Sequence, residues 1–145
     1  MGNEQVFPVA KHQGRGSGAL KEETLALFKK AERSIRNAEK TMADGDLDFA
    51  ASRAYYAMFY VADGLLGEKD MHFSKHGGTH GAFGQHFIRT GEFDPKYQRW
   101  LVAAFNQRML GDYGTTPEFN EEDVQEIIEH AREFLQVAQV YLDSK

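Results

Sequence analysis

Apolar residues recur at intervals of three and four along most of this chain, which is the periodicity of an amphipathic α-helix. The first such segment extends from about Leu20 to Ala43. Its predicted core face comprises Leu25, Phe28, Ala31, Ile35, Ala38 and Met42. The sequence Asp44-Gly45-Asp46 that follows is typical of a turn, so the helix is predicted to end there.

The next segment, LDFAASRAYYAMFYVADGLLG at residues 47–67, is apolar nearly all round. A helix of this kind is usually buried on all sides, so we predict that it forms the centre of the fold. One stripe at helical spacing comprises Ala50, Ala54, Met58, Val61 and Leu65, and a second comprises Phe49, Arg53, Tyr56 and Tyr60. The small alanine side chains of the first stripe allow neighbouring helices to approach closely.

The second half of the chain contains three further helical patterns. Residues 67–78 are predicted to form a loop, and a short helix follows from Thr79 to about Thr90. Asp94-Pro95 predicts the start of a helix that closes near Gly111, with a stripe of Tyr97, Leu101, Ala104 and Arg108. The last helix starts near Asn120, with an acidic first turn and a core face of Val124, Ile128, Ala131, Leu135, Ala138 and Leu142.

The helical patterns together predict an all-α fold, an up-and-down bundle of four main helices with one short extra helix. No segment alternates convincingly in the manner of a β-strand, and no internal repeat is present. Residues 1–18 are polar and glycine-rich without periodicity. We therefore predict a disordered N-terminal tail, followed by a bundle domain over residues 19–145.

Composition and charge narrow the function in three respects. The 145 residues include no cysteine, which excludes disulfides, thiol nucleophiles and cysteine-ligated metals and fits a cytoplasmic location. No apolar run approaches the ~20 residues that cross a bilayer, so no membrane association is predicted. The formal net charge of −5 argues against a broad electrostatic grip on nucleic acid, but it leaves room for a small cationic cleft.

Arg108 is informative because it belongs to the inward stripe of its helix. A guanidinium in such a position needs acceptors, since an unpaired buried charge is very costly. Asp112 and Tyr113 follow closely, so one interpretation is an internal ion pair that holds two helices in register. The other interpretation is a phosphate-binding groove, which Arg53 and Tyr56 complete if the two helices are neighbours.

Three histidines, His72, His76 and His80, are spaced four residues apart. On one continuous helix they would share a face and could bind zinc. Gly77-Gly78 interrupts that geometry, so we predict no metal site and no cofactor, and a polar loop that contains the pair Lys75 and His76. If this loop folds over the groove, both side chains join the phosphate-binding residues.

Three stretches of this sequence resemble the HEPN domain family, in particular its small stand-alone prokaryotic branch. They are AASRAYYAMFYVADGLL at 50–66, FSKHGGTHGAFGQHFIRTGEF at 73–93 and AFNQRMLGDYG at 104–114, and the resemblance spans roughly residues 20–142. It implies a helical bundle, a homodimer, and a toxin–antitoxin-like pairing with a minimal nucleotidyltransferase. Many HEPN domains are metal-independent ribonucleases, so the resemblance also implies RNA as the target.

The motif of these ribonucleases is an arginine followed by a polar residue, with a histidine after four to six residues. Arg108 matches the motif arginine, but Met109 replaces the polar residue, and Asp112 and Tyr113 occupy the region of the histidine. The resemblance therefore assigns the catalytic role to Arg108, Asp112 and Tyr113, with His76 as a candidate replacement for the motif histidine. Tyr113 is also a candidate acceptor for a nucleotidyl group from the partner. The alternatives are a non-catalytic nucleotide- or partner-binding module and a purely structural bundle.

Overall fold

The computed structural model describes residues 4–6, 20–113 and 119–144, with side chains for 20–109 and 119–144. Five α-helices carry the fold, and one π-helical turn follows the third of them. Their bounds are α1 Glu22–Ala43, α2 Leu47–Glu68, α3 His76–Phe83 with the π-helical turn Gly84–Ile88, α4 Lys96–Tyr113 and α5 Glu121–Asp143. The prediction of an all-α bundle with four main helices and a short extra helix is confirmed.

The first helix begins and ends as its sequence predicts, with one exception on its core face. Gly45 adopts a positive φ of 87° in the turn after α1. Leu25 was predicted to be in the core but is 46% exposed, whereas Thr24 beside it is fully buried. Thr24 is buried because its hydroxyl donates a 2.6 Å hydrogen bond to the Glu68 carboxylate at the end of α2. The core face of α1 is thus rotated by one residue at its first turn.

Helix α2 is the central element, as predicted. It packs against α1, α4 and α5. The first of its predicted stripes is fully buried, and in the second Arg53, Tyr56 and Tyr60 are half-buried while Phe49 is 63% exposed. The approach of α1 is closest at Gly64, where a Cβ atom would lie 2.9 Å from Cε1 of the buried Phe28 ring.

The segment between α2 and α4 differs from the prediction of a loop over residues 67–78. Met71–Phe73 forms a short strand, β2, and α3 begins at His76 rather than at Thr79. The helix runs through Gly77-Gly78, although glycine is a poor helix former. Gly78 fits here because a larger residue would press against Phe73, with a Cβ 3.3 Å from the nearest ring atom. Tertiary packing therefore overrides local propensity in this turn.

The last two helices start at the capping residues that the sequence indicates. The Asp94 carboxylate accepts a 2.9 Å hydrogen bond from the Lys96 backbone N–H at the start of α4. Asn120 and Asp123 form a reciprocal capping box at the start of α5. Helix α4 extends to Tyr113 instead of closing near Gly111. Every residue of the predicted α5 core face is buried.

Two three-residue strands complete the described structure and were not predicted. Strand β1, Glu4–Val6, pairs antiparallel with β2, so that Glu4 lies opposite Phe73. Segments of this length are too short to show an alternating pattern. Residues 1–3 and 7–18 of the predicted tail lie outside the described residues, and their disorder stays a prediction. None of the helices in the described ranges has the length and hydrophobicity that crossing a membrane requires.

Candidate functional site

The candidate site lies where α2, α3 and α4 meet, and the ring of Tyr56 is at its centre. The guanidinium carbon of Arg108, from α4, lies 5.1 Å from the centroid of this ring. The guanidinium carbon of Arg53, one turn earlier on α2, lies 5.2 Å from the same centroid. Both distances allow cation–π attraction, which holds a guanidinium over an aromatic face. The structure thus brings Arg53, Tyr56 and Arg108 together on neighbouring helices.

The pattern of cations on aromatic rings continues along α2 toward α1. The Tyr60 and Tyr56 ring centroids are 6.0 Å apart, and Lys30 of α1 places its Nζ 4.8 Å from the Tyr60 centroid. Both rings are half-buried and therefore keep some accessible surface. Positive charges gathered in one place on an acidic protein attract anions locally.

His76 and His80 lie on one face of α3, and both hydrogen-bond to the hydroxyl group of Tyr55. The Tyr55 Oη atom is 2.6 Å from His76 Nδ1 and 2.8 Å from His80 Nε2. The prediction that Gly77-Gly78 separates these two histidines is wrong, because α3 includes both glycines. Tyr55 is fully buried, and its hydroxyl connects α2 to α3.

Aromatic side chains enclose the His76 ring. Its centroid lies 4.5 Å from that of Phe59, with the two rings stacked at 23°. Phe105, from α4, lies 5.6 Å from His76 and 5.1 Å from His80. The Tyr56 centroid is 5.7 Å from that of His76. His76 is therefore a direct neighbour of the ring that both arginines contact.

Burial keeps the His76 and His80 imidazoles and the Tyr55 hydroxyl uncharged around pH 7. Burial, followed by the Arg108 charge, lowers the pKa of His76 below its usual value. Burial, followed by the neighbouring His76, lowers the pKa of His80 to about 4. Burial raises the pKa of the Tyr55 hydroxyl well above its usual value, and Tyr56 contributes in the same direction. Tyr55 consequently keeps its proton, and both imidazoles are uncharged.

The other residues that the sequence singled out are placed as follows. Lys75 is exposed and occupies the position just before α3, next to His76. Asp112 and Tyr113 are in the last turn of α4, and their side chains lie outside the described residues. His72 is on β2, away from the other two histidines, with its Nε2 3.6 Å from the Glu23 carboxylate.

No three His, Asp or Glu side chains in the described part of the chain are grouped so that they could hold a metal ion. His76 Nδ1 and His80 Nε2 are both hydrogen-bonded to the Tyr55 hydroxyl. Within this part of the protein, the chemistry of the site therefore comes from two guanidiniums, two neutral imidazoles and phenol hydroxyls.

Sequence reasoning missed the connecting roles of Tyr55 and His80. The four-residue spacing of His76 and His80 was a usable signal, but only if α3 was known to start at His76. Phe59 and Phe105 gave no signal beyond that of ordinary core residues, because their positions on helices say nothing about which imidazole they enclose.

The fold and the site define the class of this protein. It is a small all-α bundle with cationic, aromatic and histidine side chains where three helices meet. The family model for the HEPN domain matches residues 24–141. That range is most of the chain, so the protein belongs to the HEPN domain family, as the resemblance in its sequence predicted.

Similar proteins from other organisms support the same assignment. The chain is 35% identical over 125 residues to a Methanocaldococcus jannaschii protein named "putative toxin", covering 86% of this chain and 85% of that protein. It is 36% identical over 107 residues to a Thermotoga maritima protein named only as a UPF0332 protein, covering 74% and 81% of the two chains. A second M. jannaschii "putative toxin" is 34% identical over 116 residues, covering 80% and 86%.

Proposed function

We propose that this protein is the HEPN component of a toxin–antitoxin-like module, acts on RNA in the cytoplasm as a metal-independent endoribonuclease, and pairs with a small nucleotidyltransferase. The observation that carries the proposal is the convergence of Arg53 and Arg108 on the Tyr56 ring, with His76 beside it. Guanidiniums bind phosphate through a planar fork, and an aromatic ring stacks on a base. The two "putative toxin" relatives favour a toxin-like role.

Metal-independent RNA cleavage needs a base, an acid and a cation from the protein. The 2′-hydroxyl oxygen attacks the adjacent phosphorus, and its proton passes to a base. The bond from phosphorus to the 5′-oxygen breaks, and that oxygen takes a proton from an acid, leaving a 2′,3′-cyclic phosphate and a 5′-hydroxyl. Between the attack and the departure of the 5′-oxygen, negative charge grows on the phosphorane oxygens, and a fixed cation stabilises it. Arg108 supplies that cation in our proposal.

We assign the remaining roles by residue type. Asp112 and Tyr113, which end the same helix as Arg108, take part in proton transfer or orient the arginine. Arg53, Lys75 and His76 hold the phosphate groups. Tyr56 stacks on a base. In this assignment the residues for proton transfer are on α4, and the residues that bind the RNA are on α2 and at α3.

The test is cleavage of a labelled mixed-sequence RNA by purified protein in EDTA. We expect the wild type to cleave and Arg108→Ala to cleave at least about 100-fold more slowly, which is the usual cost of removing one transition-state donor. Arg89→Ala is the matched control, because Arg89 is an exposed arginine after the π-helical turn. It removes the same charge and should keep the wild-type rate. Circular dichroism confirms that all three proteins are folded.

The second candidate function is a non-catalytic nucleotide- or partner-binding module that uses the same Arg108 groove. It is favoured by the formal net charge of −5 and by the absence of the motif histidine, whose region Asp112 and Tyr113 occupy. Absence of cleavage by the wild type, together with nucleotide binding that Arg108→Ala abolishes, would overturn the ribonuclease proposal in favour of this module. Unchanged binding and cleavage in Arg108→Ala would leave only a structural role for the arginine.

The proposed partner chemistry has its own test at Tyr113. A nucleotidyltransferase would join the tyrosine oxygen to the α-phosphorus of a nucleoside triphosphate, with pyrophosphate leaving and the phenol proton lost to solvent. We expect mass spectrometry to find one added nucleotidyl group on Tyr113 after co-expression with an active partner. Tyr113→Phe should remove the modification. Recovery of only unmodified Tyr113 would contradict this part of the proposal.

A further inference from the structure

A chain of two hydrogen bonds joins His80, Tyr55 and His76, and the roles proposed above do not use it. The Tyr55 Oη atom is bonded to both histidines, Tyr55 is fully buried and His80 is only 8% exposed. A phenol has a single hydrogen to donate. In this buried position all three groups are satisfied only when Tyr55 donates to one histidine and accepts a hydrogen bond from the other, and this gives the chain a direction.

The two possible directions give opposite tautomers at both histidines. If Tyr55 donates to His76, then His76 accepts at Nδ1 and has its hydrogen on Nε2, and His80 donates from Nε2. If Tyr55 donates to His80, then both histidines have their hydrogen on Nδ1. In the mixed combinations, either both histidines donate to the Tyr55 oxygen and neither accepts its buried hydrogen, or both present an acceptor nitrogen and one of these faces the oxygen without a hydrogen between them. One measurement of either tautomer therefore identifies the direction of the chain.

The distances and the burial favour the first direction. Hydrogen bonds donated by O–H are shorter than those donated by N–H. The contact to His76 is 2.6 Å and the contact to His80 is 2.8 Å, as expected if the hydroxyl donates to His76 and accepts from His80. His80 is also the more strongly desolvated imidazole and so the weaker proton acceptor.

We infer that Tyr55 and His80 are positioning residues that lock His76 as the tautomer with hydrogen on Nε2, so that His76 presents a neutral, fixed N–H donor to a phosphate oxygen beside Arg108. This inference deepens the proposed function and rests on it for the identity of the ligand. It also assigns His76 a binding role and excludes it as the base, because an Nε2 that already has a hydrogen cannot accept another while Nδ1 is held by Tyr55.

The surroundings of His76 stabilise this state. The titratable and charged groups that face it are Tyr55 and Tyr56 from α2, His80 from its own helix and Arg108 from α4. Arg108 disfavours a second positive charge there, and Phe59 stacks on the ring at 4.5 Å and restricts its rotation. The two ring nitrogens lie on opposite sides of an imidazole. With Nδ1 committed to Tyr55, Nε2 is the nitrogen left for a ligand.

The first test reads the tautomers directly by nuclear magnetic resonance of the full chain with ¹⁵N-labelled histidine. We expect both His76 and His80 to have their hydrogen on Nε2, with His76→Gln and His80→Gln serving to assign the signals. In Tyr55→Phe, which keeps the buried ring, His76 should show a mixture of both tautomers. Hydrogen on Nδ1 of His76 in the wild type, or an unaltered His76 signal in Tyr55→Phe, overturns the inference.

The second test separates a donor from a base at His76. A glutamine side chain retains an N–H donor near the position of Nε2 but cannot take up a proton. Binding of a short 2′-O-methyl RNA, which cannot be cleaved, should weaken about tenfold or more in His76→Leu and stay within about threefold of wild type in His76→Gln. Cleavage rates should follow the same order.

The outcomes distinguish the inference from the proposed function. Loss of cleavage in His76→Gln with full RNA binding would make His76 a proton carrier and overturn the inference, while the ribonuclease proposal would stand. Absence of cleavage by the wild type would overturn the ribonuclease proposal, while the tautomers and the difference between His76→Gln and His76→Leu in binding would still decide the inference.

Discussion

His80 links the candidate site to the stability of the fold at the scale of a single residue. It is buried on α3, and its imidazole stays neutral because burial lowers its pKa to about 4. In the unfolded chain a histidine titrates near ~6.5. The folded and unfolded states therefore bind different numbers of protons between these two values, and stability depends on pH there.

The sign of this dependence follows from which state binds the proton. Above about pH 6.5 His80 is neutral in both states and has no effect. As the pH falls from there toward about 4, only the unfolded chain gains the proton, so the free energy of unfolding decreases, by at most about 1.4 kcal/mol per pH unit. Below the folded pKa both states are protonated and this contribution stops changing.

We expect His80→Gln to lose less stability than the wild type between about pH 7 and about pH 5. Chemical denaturation at the two pH values measures it. For each protein we compare the free energy of unfolding at the two pH values. The constant cost of replacing a buried side chain cancels in this difference. Equal pH dependence in the two proteins would show that His80 is not held neutral in the folded state.

At the scale of secondary-structure elements, the closest helix packing is between α1 and α2. Gly64 lies opposite Phe28, and a Cβ on Gly64 would be 2.9 Å from the ring, which is only 4% exposed. The ring has little room to move in a packed core. Gly64 is thus retained for close approach, although a glycine inside a helix is otherwise unfavourable by about 1 kcal/mol relative to alanine.

We expect Gly64→Ala to lower the free energy of unfolding by about 1 kcal/mol, since the strain of overpacking, about 1–3 kcal/mol, exceeds the gain in helix propensity. Gly81→Ala on α3 is the matched control, because a Cβ there meets no atom within 4 Å and the residue is exposed. It should stabilise by up to about 1 kcal/mol. Thermal melts followed by circular dichroism measure both. Stabilisation by both substitutions would mean that α1 and α2 separate easily.

At the scale of the whole molecule, the described surface exposes three large apolar side chains on different helices. Phe49 is 63% exposed on α2, Val140 is 62% exposed on α5 and Leu25 is 46% exposed on α1. Phe49 lies one turn before Arg53, on the stripe that leads to the candidate site. Single exposed apolar side chains are ordinary on protein surfaces, so Phe49 is distinguished only by its place on the stripe beside the candidate site.

We expect the protein to be a homodimer, as the resemblance to dimeric HEPN ribonucleases implies, with Phe49 in the interface. Light scattering after size-exclusion chromatography measures the mass. Burial of a phenylalanine side chain contributes about 1.5–3 kcal/mol, so Phe49→Ser should weaken the dimer by about tenfold or more. Val140→Ser, on another face, serves as the control. A monomeric wild type would contradict the prediction, and dissociation by Val140→Ser alone would move the interface to α5.

Hydrophobic periodicity and capping residues determined most of the helical architecture. The spacing along α1, α2 and α5 identified their core faces, and Asp94 and Asn120 identified two helix starts. These features are predictable because both signals are local. The 3.6-residue period shows on one helix whatever it packs against, and a cap needs only the first turn. The three stretches at 50–66, 73–93 and 104–114 were together enough to indicate the family.

The tertiary structure alone decided which side chains meet. Local pattern did not reveal that α3 starts at His76, nor that the Tyr55 hydroxyl bonds to two histidines, nor that two arginines share the Tyr56 ring. The two sets of contacts join residues that are distant in sequence, and all three features depend on how α2, α3 and α4 cross. Periodicity tells which face of a helix is buried, but the chemistry of a site depends on the partner that covers that face, and only packing determines the partner.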